Sequence, residues 1–325
     1  MNRPLVTVLV PTYNRAGLLP RAIHSVIAQT LTDWELVIVD DGSVDRTPDV
    51  VEGFAAGRGD RFTFLRQSNR GSSAARNRGI EAARGDFVAF LDSDDEFRRD
   101  KLERQVDLFR RRPDLGLVYS DYSLVDAEGH DLGRAFDRKF PLARTVPCHT
   151  VTPGGFACAE SLFDRLIRGY FVSTITGMVR REVLARKVRF VERISYAEEW
   201  LFFLDVSRVT RAGYVDEPLS IHHHTPGSLA RADKRRNLAG MRELFQVMKR
   251  RYPDSTASQR RAIRANLATV CRQLAHGCAQ RGSSEAIPLL FEAMLNHPDR
   301  ATLSELASGI WRCLGTTQPA AQPVR

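Results

Sequence analysis

The first part of the chain alternates short apolar runs with longer amphipathic stretches. The run LVTVLVPT is rich in β-branched residues and ends at a proline, which is typical of a buried strand. In AGLLPRAIHSVIAQT the apolar side chains recur every three to four residues and fall on one helical face. Strands that alternate with helices predict a mostly parallel sheet covered on both faces, the α/β class. The same alternation continues through the strands WELVIVDDGS, FTFLRQ, DFVAFLD and LGLVYSDY and the helices DRTPDVVEGFAA, GSSAARNRGIEAARG and RDKLERQVDLFRRRP.

After about residue 125 the pattern loosens. The stretch SYAEEWLFFLDVSRV still predicts a strongly apolar helix. From about Lys234 onward the apolar residues recur at helical spacing, which predicts a C-terminal appendage of packed helical hairpins. Shorter helices are expected after Ser284 and Thr302, and the last residues, TTQPAAQPVR, are expected to be a frayed tail.

The composition is that of a globular protein with a substantial core. The chain has 325 residues, of which 43% are hydrophobic and 27% are charged. This length can hold one large domain, or a principal domain with a smaller appendage. The apolar run near the N-terminus is too short for a signal sequence or a bilayer span, so we expect a cytoplasmic protein. Five cysteines without a CxxC pair indicate reduced thiols.

The formal net charge of +9 suggests an anionic partner. The arginines are scattered and no helix-turn-helix, zinc-finger or RNP-type signature is present, so the sequence disfavours nucleic acid. A polyphosphate ligand or an anionic membrane surface fits the charge better, and the plain alternative is a solvated, arginine-rich surface. The basic residues that could meet a membrane are Arg235, Arg236, Lys249, Arg250 and Arg251.

Polar residues follow three of the predicted strands. Neighbouring parallel strands share one direction, so these residues should lie along one edge of the sheet, where ligands bind in such folds. We therefore predict a site at this edge. Its residues are Thr12, Tyr13 and Asn14 after the first strand, Asp40, Asp41 and Ser43 after the second, and Asp92, Asp94 and Asp95 after the fourth.

The densest acidic group is Asp92-Ser93-Asp94-Asp95. Residues two apart in an extended chain point the same way, so Asp92 and Asp94 can converge on one point. Carboxylates suit hard cations such as Mg²⁺ or Mn²⁺, which take further ligands from water and phosphate oxygens. The alternative is an acidic turn at the positive end of the next helix. The other polar strand ends on the same edge favour the metal.

Other residues near this edge have both a functional and a structural interpretation. The carboxylate of Asp40 or Asp41 can accept hydrogen bonds from a nucleobase or a ribose. Ser43 or Asp45 can also cap the following helix, and both interpretations can hold together. Arg76 stands near a helix N-terminus, which is a natural place for phosphate.

Two glutamates, Glu198 and Glu199, precede a strongly apolar helix. A carboxylate at the N-terminus of a buried helix can act as a general base. The alternative is that both acids only interact favourably with the positive end of the helix dipole. The run from His222 to His224 offers a metal ligand or a phosphate contact, although a histidine run is more often a plain loop.

Together these residues resemble the family 2 glycosyltransferases, inverting enzymes of the GT-A fold. VTVLVPTYNRAGLLPRAIHSVIAQTLTDWELVIVDDGSVDRT, NRGSSAARNRGIEAARGDFVAFLDSDDEF and DKLERQ match the family pattern nearly continuously over residues 5–105. The match is looser from 106 to 230. The resemblance implies a nucleotide-sugar donor and a divalent cation, Mn²⁺ or Mg²⁺. It implies donor-nucleotide contacts by Thr12, Tyr13, Asp40, Asp41, Arg76, Asp92 and Ser93, and metal contacts by Asp94, Asp95 and His224.

The resemblance also implies a catalytic base. The acidic pair of the family commonly reads Glu-Asp followed by an aromatic residue, and here the chain reads Glu198-Glu199-Trp200. We expect Glu199 to be the base, with Glu198 as the alternative. The family often has an arginine two residues before a histidine near this point. His222 stands in the place of that arginine, and His224 matches the histidine.

We therefore expect a metal-dependent inverting glycosyltransferase that transfers a sugar from a nucleotide-diphosphate sugar to a glycan or lipid-linked acceptor. Residues 1–105 would bind the donor, 106–230 would supply the acceptor site and the base, and 231–325 would form the helical appendage. Peripheral contact with the inner face of the cell membrane is a further expectation. The alternatives are a non-catalytic nucleotide-sugar-binding protein and a sugar nucleotidyltransferase. PTYNRAG stands where the latter would carry a Gly-Thr-Arg stretch.

Overall fold

The apolar runs of the N-terminal part form the centre of one sheet. The computed structural model describes residues 3–194, 196–224, 233–281 and 283–298. The strands are β1 Val6–Thr12, β2 Trp34–Asp40, β3 Phe62–Arg66, β4 Phe87–Phe90, β5 Glu96–Phe97, β6 Leu115–Val125, β7 Asp131–Arg134, β8 Cys148–Thr152, β9 Gly155–Cys158, β10 Met178–Arg180 and β11 Arg211–His223. Within the described residues they form an eleven-stranded sheet in the order β3-β2-β1-β4-β10-β6-β11-β9-β8, with β5 paired to β11 and β7 to β6.

Parallel pairing organises the edge where the site was predicted. β1 lies between β2 and β4 and is parallel to both, and β3 is parallel to β2. β11 is parallel to β6, whereas β10 is antiparallel to both of its neighbours, β4 and β6. The α/β class is therefore confirmed, and the carboxyl ends of β1, β2 and β4 lie at one edge.

Helices cover the sheet. Every residue of β1 and β2 is buried, and the lack of alternation along these strands means that both faces are covered. The helices are α1 Leu19–Ile27, α2 Thr47–Ala55, α3 Ser72–Ala82, α4 Lys101–Arg111, α5 Ala135–Arg138, α6 Leu162–Leu166, α7 Arg181–Ala185, α8 Glu198–Val209, α9 Lys234–Arg251, α10 Ala257–Ala279 and α11 Ala286–Asn296.

Helix α3 approaches β1 closely because of a glycine. A Cβ atom at Gly79 would lie 2.4 Å from Leu9 Cδ1, and Leu9 is fully buried in β1. The small residues of GSSAARNRGIEAARG therefore allow α3 to pack against the first strand, which brings Arg76 to the edge of the sheet.

The chain divides into two units, Met1–Ser228 and Leu229–Arg325. In the second unit, α10 packs against α9 and α11, and a capping box between Thr256 and Gln259 starts α10. The predicted helical C-terminal part is confirmed here. The helix predicted after Thr302 and the tail TTQPAAQPVR lie outside the described residues. Among the helices that the structure describes, none combines the length and apolarity needed to cross a bilayer.

Candidate active site

The ends of β1 and β2 are tied together at the predicted edge. Asp41 N donates to Thr12 O at 2.9 Å. Asn14 adopts a left-handed backbone with a φ of 50°, a conformation that asparagine tolerates better than most residues. This turn lets Asn14 N donate to Ser43 Oγ at 2.8 Å, while the Asn14 side chain accepts from Val44 N at 2.9 Å. The two strand ends thus form one continuous surface.

Asp40 and Asp41 hold the chain segment that leads into α3. Asp40 is fully buried and accepts from Arg66 Nε at 2.8 Å. Asp41 accepts from Arg70 N at 2.9 Å through one oxygen and from Gly71 N at 2.7 Å through the other. Both carboxylates bind protein donors in this arrangement, so their nucleotide contacts stay predictions.

Arg76 connects the end of β4 to the start of α8. Its guanidinium donates to Asp92 Oδ1 at 2.7 Å and to Glu198 Oε1 at 2.9 Å, and only 8% of the side chain is exposed. Burial opposes the positive charge, but the two carboxylates outweigh it and raise the pKa of Arg76 above its ordinary value. A permanently charged arginine between two acids fixes the position of one acid relative to the other.

Three residues at this edge carry buried polar atoms without a hydrogen-bond partner in the part of the chain that the structure describes. These atoms are Thr12 Oγ1, Ser73 Oγ and Arg76 Nε. Buried polar atoms in native proteins are normally paired. These three donors at the predicted nucleotide-binding edge can therefore pair with water or with a bound ligand.

Helix α8 begins with the two predicted glutamates. Ala197, just before it, has a left-handed φ of 55°, a strained conformation for alanine that occurs preferentially at functional sites. Glu199 Oε1 accepts from Tyr170 Oη at 2.9 Å. Burial, and then the charge of Glu198, raise the pKa of Glu199 to about 7, against the opposing effect of Arg76. A carboxylate that titrates near neutral pH is suited to general-base catalysis.

The DSDD segment places its carboxylates in different surroundings. Asp92 Oδ2 accepts from Thr174 Oγ1 at 2.9 Å. Asp94 is 22% exposed, and the guanidinium of Arg15 lies 4.0 Å from its carboxylate. Burial, and then the charge of Asp92, raise the pKa of Asp94. Ser93 is buried between them. Asp94 is thus a carboxylate with incomplete charge compensation, which is a suitable ligand for a hard cation.

Asp95 faces the histidines at the end of β11. Its carboxylate accepts from His223 N at 2.9 Å and lies 3.1 Å from His222 Nδ1. Burial raises the pKa of Asp95 to about 6; burial lowers the pKa of His222, but the Asp95 carboxylate outweighs this and raises it. The interpretation of the histidine run as a plain loop is wrong for His222 and His223, because both residues lie in β11. His224 Nε2 lies 3.3 Å from Lys139 Nζ.

The predicted metal ligands are not preassembled. Among the described residues, three acidic or histidine ligand atoms within 4.8 Å of one another occur at Asp126, Glu128 and His130. Asp126 accepts there from the backbone of the other two residues, so the group is a hydrogen-bonded turn. Of the three predicted ligands, Asp94 presents a partly exposed carboxylate, whereas the other two face protein groups. This donor set fits a cation that takes most of its ligands from phosphate and water.

Three hydroxyl residues at the site were not predicted. Tyr170 donates to Glu199 across 29 residues of chain, and Thr174 donates to Asp92 across 82 residues. Ser72 Oγ donates to Glu198 Oε1 at 2.7 Å. Serine, threonine and tyrosine in an irregular stretch give no local signal, because their roles depend on contacts between distant segments.

This mostly parallel sheet flanked by helices has the architecture of the GT-A fold, as the following solved structures show. Staphylococcus aureus TarS 1–349 in complex with UDP-GlcNAc has a TM-score of 0.67 and 18% identity, and the alignment covers 96% of this chain and 88% of that chain. The mannosyltransferase PcManGT from Pyrobaculum calidifontis, in complex with GDP-Man and Mn²⁺, has a TM-score of 0.58 and 21% identity, over 96% and 86%. At these identities the likeness shows the fold, and the predicted GT-A architecture is confirmed.

Residues 7–166 match the family described as Glycosyl transferase family 2. This part of the chain therefore belongs to glycosyltransferase family 2, as the resemblance predicted. TuaG of Bacillus subtilis (strain 168), named for teichuronic acid biosynthesis, is 36% identical over 132 residues, 41% of this chain and 52% of the relative. EpsH of the same organism, named as a glycosyltransferase, is 39% identical over 223 residues, 67% of this chain and 60% of the relative. The chain spans only about half the length of the curated relatives that it matches.

Proposed function

We propose that this chain transfers a sugar from a nucleotide-diphosphate sugar to a hydroxyl of a glycan or lipid-linked acceptor, with inversion at the anomeric carbon. The observation that carries the proposal is Glu199, a carboxylate with a pKa of about 7 that lies next to the Glu198–Arg76–Asp92 chain of contacts. Structures of the same fold bound to UDP-GlcNAc and GDP-Man support the class of donor.

In this mechanism Glu199 removes the proton of the acceptor hydroxyl while the acceptor oxygen attacks the anomeric carbon. The new carbon–oxygen bond forms on the face opposite the bond to the diphosphate, which breaks, so the configuration inverts. The proton stays on the Glu199 carboxylate until it passes to water. Because its pKa is near 7, this carboxylate is largely ionised at slightly alkaline pH and can accept the proton. Arg76 holds Asp92 and Glu198 in fixed positions throughout.

Residues 1–105 would bind the donor, and 106–230 would carry the base and the acceptor site. Asp94 would hold the divalent cation, with Asp95 and His224 as the further predicted ligands. A bound Mn²⁺ or Mg²⁺ supplies positive charge that stabilises the departing diphosphate. Tyr13, whose side chain is exposed at the edge, is available to stack on a nucleobase.

Asp94→Asn should remove the metal-dependent part of donor binding. We expect Mn²⁺ with UDP-GlcNAc or GDP-mannose to raise the Tm of the wild-type protein, because a ligand that binds the native state stabilises it. The rise should disappear in EDTA and in Asp94→Asn, and turnover of the variant should fall about 100-fold. Glu128→Gln, in the exposed turn, is the matched control and should keep the full shift. A shift of unchanged size in Asp94→Asn would contradict the assignment.

The enzymatic part of the proposal is tested by nucleotide release. Purified protein is given a nucleotide sugar, Mn²⁺ and a panel of glycan and polyprenyl-phosphate-linked acceptors, and release of nucleoside diphosphate is measured. Inversion is read from the anomeric proton of the product by NMR. Donor binding without any release would favour a non-catalytic nucleotide-sugar-binding protein, and pyrophosphate formed from a nucleoside triphosphate and a sugar phosphate would favour a nucleotidyltransferase.

Contact of α9 with an anionic membrane is also proposed, from its charge. The last turn of α9 carries Lys249, Arg250 and Arg251. Arg235, at its start, pairs with Glu285 at 2.7 Å, so its charge is partly compensated. We propose the last turn for lipid contact because it carries three adjacent cationic residues.

A further inference from the structure

The segment of residues 170–176 is anchored from the protein interior. It precedes β10 and ends in a short 3-10 turn, Thr174–Thr176. Lys101 Nζ donates to Thr176 O at 3.2 Å, and Gln105 Nε2 donates to the same oxygen at 2.8 Å. Both donors lie on α4 and are fully buried. Burial lowers the pKa of Lys101 to about 7, because a buried ammonium group loses its hydration. Keeping a lysine at this position therefore costs folding free energy.

A third hydrogen bond to this segment comes from strand β11. Ser220 Oγ, on β11, donates to Ile175 O at 2.6 Å and is also fully buried. Residues 174–176 are therefore held by hydrogen bonds from two separate elements, α4 and β11. A backbone segment fixed in this way can hold its side chains in constant positions.

Two hydroxyl groups of this segment bind the two acids on which the chemistry depends. Tyr170 Oη donates to Glu199 Oε1 at 2.9 Å, and Thr174 Oγ1 donates to Asp92 Oδ2 at 2.9 Å. Glu199 lies in the first turn of α8, and Asp92 follows β4. Residues 170–176 therefore connect the proposed base to the donor edge of the sheet.

We propose that residues 170–176 form a positioning segment in which Tyr170 orients the base Glu199 and Thr174 orients Asp92. The inference rests on the proposed function and deepens it by naming residues that act through these two acids. Tyr170 limits the rotation of the Glu199 carboxylate and stabilises its ionised form by a charge-assisted hydrogen bond. Thr174 does the same for the carboxylate that also binds Arg76.

Tyr170→Phe tests the first half of the proposal without any need for turnover. Loss of the hydrogen bond should raise the pKa of Glu199 by about one unit. The pKa is measured by ¹³C NMR titration of protein labelled at the glutamate carboxyl carbons, and Glu199→Gln identifies the resonance. The charged and titratable groups that face Glu199 are Glu198, Arg76, Tyr170, Tyr196 and Tyr122.

The matched control is Tyr196→Phe. Tyr196 lies near Glu199: burial, and then the charge of Glu199, raise the pKa of the Tyr196 phenol. The hydrogen bond to the Glu199 carboxylate, however, comes from Tyr170. This variant should leave the Glu199 pKa within a few tenths of a unit. An unchanged pKa in a folded Tyr170→Phe protein, or equal shifts in both variants, would overturn the positioning role of Tyr170.

Thr174→Val tests the second half by kinetics. We expect its KM for UDP-GlcNAc or GDP-mannose to rise about tenfold, the size of one lost hydrogen bond to a charged group, while the pH profile stays in place. Thr174→Ser should restore the KM. Tyr170→Phe should instead move the acidic limb of the pH profile upward. If wild-type protein shows no turnover, the proposed function fails, but the NMR titration still decides the role of Tyr170.

A separate observation concerns two cysteines in the hairpin of β8 and β9. These strands are antiparallel, and Cys148 lies directly opposite Cys158. Ala159 N donates to Pro147 O at 2.8 Å, so the two cysteines occupy a non-hydrogen-bonded pair, where opposite side chains are closest. Their sulfur atoms lie 3.8 Å apart. The Cα spacing of such a pair falls within the range that a disulfide requires.

We infer that Cys148 and Cys158 are a site of thiol–disulfide exchange with a small disulfide such as glutathione disulfide. Cys148 is half-buried whereas Cys158 is buried, so the Cys148 thiolate is the more accessible to a disulfide and attacks first. One glutathione thiolate leaves and a mixed disulfide forms on Cys148. Cys158 then loses its proton and attacks the Cys148 sulfur, which releases the second glutathione thiolate. Two protein thiols are oxidised and one glutathione disulfide is reduced to two thiols.

Mass spectrometry of the tryptic peptide 145–165, which contains both cysteines and no internal cleavage site, tests this inference. After incubation with glutathione disulfide the peptide should lose two hydrogens, and dithiothreitol should restore them. Cys271 and Cys278, seven residues apart on α10, are the internal controls and should stay reduced. A peptide that stays fully reduced, or that retains one glutathione on Cys148 without closing the bridge, would overturn the inference.

Discussion

Glu199→Gln is expected to lower the rate of sugar transfer by about 100- to 10,000-fold while donor binding is retained. Glutamine keeps the size of the side chain, and its carbonyl oxygen can still accept the hydrogen bond from Tyr170. It cannot accept the proton of the acceptor hydroxyl. The rate is measured as release of nucleoside diphosphate, and donor binding as the shift in Tm. A variant with more than a tenth of the wild-type rate would exclude Glu199 as the base.

Glu198→Gln is the informative comparison because it separates the two glutamates. The charge of Glu198 helps to raise the pKa of Glu199 to about 7, so its removal should lower that pKa. In wild-type protein the rate should fall tenfold per pH unit well below about pH 7, since the base must be ionised. In Glu198→Gln this acidic limb should move to lower pH, with activity retained at neutral pH. Loss of activity in Glu198→Gln and its retention in Glu199→Gln would reverse the assignment.

The centre of the fold could be predicted from the sequence because its signals are local. The unbroken β-branched run of β1 and the helical spacing of α1 each identify an element without reference to the rest of the chain. β10 could not be predicted in the same way. It has three residues, and it is a strand only because β4 and β6 pair with it from both sides. The hairpin of β8 and β9 likewise depends on its pairing with β11.

The candidate site shows the same division. The types of residue at the strand ends, the direction of the parallel strands and the acids before α8 can be read locally. The group that each of these side chains binds in the folded protein cannot be predicted from local sequence. Asp41 is a possible nucleotide ligand by composition, yet its two oxygens bind the backbone before α3. Asp95 is spaced as a metal ligand, yet it faces His222, which is 127 residues away. Sequence thus predicts which groups can bind a ligand, while tertiary packing decides which of them already bind the protein.

Arg76→Gln is expected to lower the free energy of unfolding by about 3–5 kcal/mol, because it leaves the carboxylates of Asp92 and Glu198 without their shared cation. The side chain of Arg76 is 8% exposed, so water cannot replace the lost interaction as it does at the surface. Arg70→Gln is the matched control. Arg70 and its partner Glu192 are 61% and 41% exposed, and such surface pairs contribute only about 0–1 kcal/mol. Urea unfolding of both variants and of wild-type protein at one fixed pH measures both changes.

The same substitution separates the structural role of Arg76 from its effect on the base. Arg76 lowers the pKa of Glu199, so its loss should move the acidic limb of the pH–rate profile upward in whatever fraction of the protein stays folded. Arg76→Lys keeps the charge but cannot bridge two carboxylates with the same planar geometry. It should therefore restore most of the pH profile and only part of the stability. If Arg76→Gln and Arg70→Gln unfold at the same urea concentration, Arg76 does not connect the donor edge to the base.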